Sequence, residues 1–185
     1  MYSSTEIYNK ATELINDFGT RDPGRLAELM KIPVRTSDSL KSVCGAYVEV
    51  LGNRFIVLSS ALSSSQEKLI LAHELGHLIL HRELAKSGLL EFGFFDLQTE
   101  AEYEANVFAA HLLIDDELIR EFAVVRQYSL QEIADALDLN YNLVLIKLQE
   151  LNKMGGGFVL PVIADTKFLK RECPEGTKKQ IYTSQ

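Results

Sequence analysis

Leu69-Ile-Leu-Ala-His-Glu-Leu-Gly-His-Leu-Ile-Leu-His81 holds the pentapeptide His73-Glu-Leu-Gly-His77, and its reading decides the fold. An H-E-x-x-H pattern has a direct mechanical meaning when it lies on a helix. At about 100° per residue, positions i and i+4 sit one turn apart on the same face, so His73 and His77 can grip one ion. Glu74 projects beside that ion, where a carboxylate can act as general base toward water activated by zinc. Eight apolar residues surround the polar triplet: Leu69, Ile70, Leu71, Ala72, Leu75, Leu78, Ile79 and Leu80. The helix is therefore expected to be largely buried, and burying two imidazoles and a carboxylate costs several kcal/mol unless something pairs with them. Gly76 suits a crowded face where another backbone comes close.

A catalytic zinc keeps three protein ligands and one open position, so a third ligand must come from elsewhere. The metzincin pattern needs Gly at position 80 and His at position 83, and here Leu80 and Glu83 exclude it. His81, one turn beyond His77, is expected to support a ligand more than to be one. The better source is Thr99-Glu-Ala-Glu-Tyr-Glu-Ala-Asn-Val-Phe-Ala-Ala-His-Leu-Leu-Ile114, where Thr99 and Glu102 make a capping box that would start a helix. Of its three carboxylates, Glu104 falls between Val107 and Phe108, enclosed by apolar neighbours. Glu100 lies one turn earlier on nearly the same face, and Glu102 on the far side near Asn106 and Ala109. Glu104 is thus expected as third ligand, with Glu100 as its supporting partner or substitute. The helix dipole alone accounts well for Glu100 and Glu102, and less well for Glu104. His111 stands roughly 10 Å along the axis from Glu104, too far to share the ion, and is expected to line the cleft.

These two segments, with His73-Glu-Leu-Gly-His77 followed by Glu102-Tyr-Glu-Ala-Asn-Val-Phe-Ala-Ala-His-Leu-Leu113, resemble the ImmA/IrrE metallo-endopeptidases of bacteria and their mobile elements, an HExxH zincin family of gluzincin-like type. The likeness extends from about Ile7 to about Leu151. It implies zinc held by His73, His77 and Glu104, with Glu74 as catalytic glutamate. It also implies a protein substrate, a helix-turn-helix repressor whose cleavage relieves repression during stress or element mobilisation. Tyr103 and His111 are candidates for stabilising the oxyanion, a role to which the resemblance assigns no residue.

The remaining residues bound the function classes. At 185 residues the chain can bury one good core or a core plus a small appendage. A net charge of -7 disfavours general phosphate binding and suits a cytoplasmic protein. The start, Met-Tyr-Ser-Ser-Thr-Glu, shows no signal peptide, and no apolar run is long enough to cross a bilayer, so no membrane role is expected. Cys44 and Cys173, far apart and without ligand spacing, read as free thiols.

The fold expected is α+β, a mostly helical zincin-like metallopeptidase domain with a small β-sheet beside the HExxH helix. That domain covers residues 1–154, and 155–185 form a Gly155–Gly157 hinge and a C-terminal tail. Helices are expected over Tyr8 to Phe18, from Pro23 to about Lys31 and near Glu117 to Val124, and Cys44 to Leu58 as a hairpin turning at Leu51-Gly-Asn53. The apolar stretch Leu84 to Gln98 is either packed down or a substrate lid. Residues 129–151 resemble a helix-turn-helix pair, but Glu132, Asp135, Asp138 and Glu150 against Lys147 alone weigh against direct DNA binding. Two rivals to a peptidase stay open at this point: a metal-binding regulator that holds its partner without cutting it, and a transcription factor using residues 129–151.

Overall fold

The computed structural model describes residues 1–40, 43–83, 95–160, 164–165 and 168–169, with backbone alone over 95–99. Local chemistry marks the helix starts. Ser3 and Glu6 form a capping box for α1 (Ser4–Phe18), which stops where Gly19 adopts φ 66°. Asp22 caps α2 (Pro23–Leu29), whose first residue is the proline. Ser63 and Gln66 box the start of α3 (Ser64–Leu80), the helix carrying the motif. The second motif helix, α4, runs Phe95–Leu113. It begins a turn before Thr99, so Thr99 lies inside the helix and does not cap it. A local capping signal was overridden because the helix continues upstream. Of the apolar stretch Leu84 to Gln98, 84–94 lie outside the described residues.

Beyond α4 come α5 (Asp116–Arg120), a π-helical turn (Glu121–Val125), α6 (Leu130–Leu137) and α7 (Tyr141–Lys153). The sheet has three strands in the order β1-β3-β2: β1 (Val34–Ser37), β2 (Gly45–Val50) and β3 (Asn53–Ser59). The hairpin of β2 and β3 turns through Leu51 (φ 51°) and Gly52 (φ 77°), two left-handed residues of the kind a tight hairpin needs. β1, parallel to β3, was not expected, because Val34–Ser37 is mostly exposed and offers no alternating apolar pattern. The result is a mostly helical α+β fold with its small sheet against the motif helix.

Packing places α3 at the centre. Eleven of its seventeen residues are buried, from Leu69 to Leu80. It packs against α4, α2 and the sheet, while α4 also packs against α1 and α7. Each fully buried Leu or Ile contributes roughly 1.5–3 kcal/mol, so this helix is an anchor of the core. α7 is buried through Leu143, Val144, Leu145, Ile146, Leu148 and Leu151, which turns the second helix of the helix-turn-helix pair inward. The tail also returns to the core. Phe158 N–H donates to Asn152 Oδ1 at 2.6 Å, and Ala164, Phe168 and Leu169 are buried. Cys44 is disulfide-bonded and not the free thiol expected. The other cysteine, Cys173, lies outside the described residues. Separation along the chain was a poor guide here, since Cys44 Sγ lies 4.0 Å from the Leu169 carbonyl, 125 residues away.

A buried polar cluster joins α1, α4, α5 and α7. The Lys147 side chain is 0% exposed, paired with Asp116 and donating to His111 Nδ1 at 3.0 Å. Tyr8 Oη donates to Asp116 Oδ2 at 3.0 Å, and Arg21 bonds the His111 carbonyl and Asp115. Burial would raise the Asp116 carboxyl, yet the hydrogen bond and charge of Lys147 hold it below its ordinary value. Asp116→Asn should therefore cost about 3 kcal/mol in urea unfolding, because it strands a buried ammonium, whereas combining it with Lys147→Met should recover most of that loss. The Asp116 contribution is present above its unfolded pKa of about 4 and is lost as pH falls through the lower folded value. Equal stability of Asp116→Asn and the parent at pH 7 would contradict this account.

Candidate metal centre

One turn of α3 separates His73 and His77, and their Nε2 atoms converge to 3.0 Å. Both rings are almost fully buried. The third group beside them is Glu102, not Glu104. Glu102 Oε2 is 3.4 Å from His73 Nε2, and Oε1 is 3.3 Å from His77 Nε2. These three side chains each offer one ligand atom, all within 4.8 Å of one another. Two imidazoles and a carboxylate are a fitting donor set for a borderline divalent metal such as zinc.

The correction has a geometric cause. The expected face of α4 rested on which acid had apolar neighbours, but α4 is buried on several sides, so apolar contact does not fix its phase. Small residues do. A Cβ on Gly76 would lie 3.0 Å from Ala105 Cα and 3.1 Å from Ala105 O, so α3 and α4 touch backbone to backbone there. The face of α4 toward α3 is thus that of Ala105, which carries Glu102 and, one turn on, Asn106. Asn106 Oδ1 lies 2.9 Å from His73 Nδ1 and orients that ring. Glu102 and Asn106 at i and i+4, flanking Ala105 and facing a glycine, were the signal in the sequence that would have found the site.

Glu104 instead faces His81: its Oε2 is 2.7 Å from His81 Nε2, and its Oε1 accepts from Tyr2 N–H at 2.5 Å. His81, in turn, sits beside His77, Nδ1 to Nδ1 at 3.1 Å. Glu100 is exposed, and His73 and His77 take their described Nδ1 partners from Asn106 and His81. Tyr103 Oη donates to Glu150 Oε1 at 2.6 Å on α7, away from the donors. His111 is buried with Lys147 and does not line a cleft; burial first, then Lys147, push it down to about 3. Both oxyanion candidates are therefore engaged elsewhere, since helix neighbours at one and nine residues from Glu102 leave its face.

Glu74 completes the site. It is buried, and its Oε2 accepts from Tyr47 N–H at 2.7 Å, on the free edge of β2. Burial pushes this carboxyl up to about 7, against the lowering by His73 and by the Tyr47 amide. Burial would raise Glu102 too, but hydrogen bonds from His73 and His77 carry it well below the usual carboxylate range. Gly45 makes room for this arrangement. A Cβ there would meet Ile70 Cγ2 at 2.6 Å and Glu74 Oε1 at 3.2 Å. Arg82 closes the end of α3 onto the sheet, its Nε 3.1 Å from Glu49 Oε2, while Tyr47 Oη donates to the same oxygen at 2.8 Å. Sequence reading did not single out Gly45, Tyr47 or Asn106.

A buried H-E-x-x-H helix, a carboxylate from a second helix and a Glu74 side chain held by a strand edge make a donor set and an acid suited to a metal-dependent hydrolase. Residues 27–149 match the peptidase M78 family, described as IrrE N-terminal-like domain. The chain is 30% identical over 130 residues to the protein named uncharacterized immunity region protein 2 of Bacillus phage phi105, covering 70% of this chain and 81% of the relative. It is 24% identical over 135 residues to the metallopeptidase ImmA of Bacillus subtilis (strain 168), covering 72% and 79% respectively. The chain belongs to the ImmA/IrrE metallopeptidase family and is by class a metallo-endopeptidase.

Gly76→Ala tests the helix contact. Helix propensity should gain about 1 kcal/mol, but the crowding against the Ala105 backbone should cost about 1–3 kcal/mol. Moving α4 away from α3 also spreads the donors, so Zn2+ affinity measured against a competing chelator should fall roughly tenfold or more. An unchanged affinity would show that this contact does not set the donor spacing.

Proposed function

We propose that the protein is a zinc-dependent endopeptidase that cuts a helix-turn-helix transcriptional repressor and thereby relieves repression. The observation carrying the catalytic half is the Glu74 carboxylate, buried beside the His73, His77 and Glu102 donors and tethered by the Tyr47 amide. His73, His77 and Glu102 would hold the zinc. When bound, the ion supplies Lewis acidity toward the scissile carbonyl and toward water. Glu74 takes a proton from water at its carboxylate and hands it to the departing amine. The Tyr47 N–H fixes the orientation of that carboxylate, and the apolar walls of α3 limit competing water.

The substrate half is supported by the family resemblance and by the phage relative, whose name places it in an immunity region. A repressor acts inside the cell, so the proposed location is the cytoplasm. No described helix is long and apolar enough to cross a membrane.

Glu74→Gln should keep zinc at the parent's stoichiometry while cleavage of a repressor encoded beside the gene falls by about 10²–10⁴. Glu102→Ala should lose the metal as well. The readouts are fragment formation on gels and metal content of the purified protein. Cleavage by Glu74→Gln at the parent's rate would overturn the assigned mechanism.

A further inference from the structure

Glu49 on β2 has a side chain only 6% exposed, and Arg82, just past the end of α3, meets it. The guanidinium spans both carboxylate oxygens, Nε to Oε2 at 3.1 Å and Nη2 to Oε1 at 3.3 Å, and the Tyr47 hydroxyl donates to Oε2 at 2.8 Å. We propose that Glu49 and Arg82 are positioning residues of the reaction: their ion pair clamps the outer strand to the end of α3 and so fixes the Tyr47 amide against the Glu74 carboxylate. This rests on the reading of Glu74 as the base.

The Tyr47 amide lies off the ladder that orders the sheet. Ser59 N–H donates to the Cys44 carbonyl at 2.8 Å, and bonded pairs alternate along an antiparallel ladder, so Tyr47 turns its N–H out of the sheet toward Glu74 Oε2. Its direction then depends on where β2 stands along α3, and two contacts set that. Gly45, Tyr47 and Glu49 alternate onto one face of the strand. At Gly45 the strand lies so close that a Cβ would come within 2.6 Å of Ile70 Cγ2. At Glu49, about 14 Å further along an extended strand, the Arg82 fork holds it. On α3, Glu74 stands one turn after Ile70 and about two turns before Arg82, so the base lies between the two attachments. One contact would let β2 pivot about Gly45. Two remove the pivot.

As a source of stability the pair is weak, because Arg82 is 48% exposed and water screens such a charge. What is specific is its geometry: a planar fork matches a carboxylate at two atoms and fixes direction as well as distance, which an ammonium cannot do. Arg82 follows His81, the residue at which α3 ends, so the clamp grips the strand from the helix that carries His73, Glu74 and His77. Slack in this joint reaches Glu74, where misplacing a reacting group by about 1 Å costs on the order of 10²-fold in rate.

The test compares Arg82→Met, Glu49→Gln, their double variant and Arg82→Lys in the full-length protein. On the repressor that the parent cuts, kcat should fall about 10–100-fold in Arg82→Met and in Glu49→Gln, with KM and zinc affinity within about twofold of the parent's. Because the two residues form one link, the double variant should lose no more than either single one. Arg82→Lys, which keeps the charge without the fork, should fall between. Exchange of the Tyr47 amide, read by NMR on 15N-labelled protein, should quicken about tenfold in Arg82→Met, toward its rate in Glu74→Ala, where the acceptor is gone. Arg25→Met, at the surface of α2, should match the parent in every readout. Losses that add in the double variant, or a Tyr47 amide that exchanges as in the parent, overturn the clamp. So does faster exchange throughout the core with a lowered thermal midpoint, the mark of a merely structural pair. If the parent cuts no repressor, or Glu74→Gln cuts as fast as the parent, the proposed function or the base assignment fails, while Tyr47 exchange still decides the clamp.

Discussion

The contact of Gly76 with the Ala105 backbone governs the arrangement around it. Two helices that meet through larger side chains sit about 8–10 Å apart. Here a missing side chain on one helix and a methyl on the other let the backbones touch, and a short carboxylate arm from α4 then reaches two imidazoles on α3. Metal donors must converge within a few ångströms, and this close approach brings Glu102 on one helix against the His73 and His77 pair on the other. The core around the contact, from Leu69 to Leu80 on α3 and from Ala101 to Ile114 on and just beyond α4, keeps the two helices from drifting.

Around that contact the polar groups are arranged so that burial is compensated. His73 leans on Asn106, His77 on His81, His81 on Glu104, and Glu104 on the Tyr2 amide. Glu74 leans on the Tyr47 amide. Each of these bonds answers a desolvation cost that would otherwise be on the order of 1–3 kcal/mol per unsatisfied group. Each also removes a rotational freedom from a side chain whose direction matters. The second polar cluster, around Lys147 and Asp116, ties α1, α5 and α7 to α4, with the buried His111 Nε2 left without a hydrogen-bond partner among the described residues.

Much of this was legible in the sequence. Ser63 with Gln66 and Asp22 with Pro23 announce helix starts, and the Leu51-Gly52 turn announces a hairpin. That His73, Glu74 and His77 stand together follows from spacing along one helix. Other features resisted reading for identifiable reasons. The exposed β1 has no apolar alternation to betray it, and its pairing with β3 is a long-range event. The Thr99 capping signal was valid locally and irrelevant within a longer helix. Cys44 lies far from Cys173 in the chain, and the burial of Ala164, Phe168 and Leu169 in the core is invisible to a count of separations.

The sequence by itself determined the local chemistry: that α3 is helical, that His73 and His77 share a face, that Glu74 stands next to them, and that acids follow on a second helix. Those facts depend on about 100° per residue and on nothing outside the segment. Which acid meets the histidines depended on the rotation of α4 about its own axis, and a helix buried on several sides carries no apolar stripe to fix it. The tertiary structure decided it through backbone contact at Gly76 and Ala105, turning Glu102 toward the histidines. Glu104, two residues later and so about 200° around the helix, was left to hold His81.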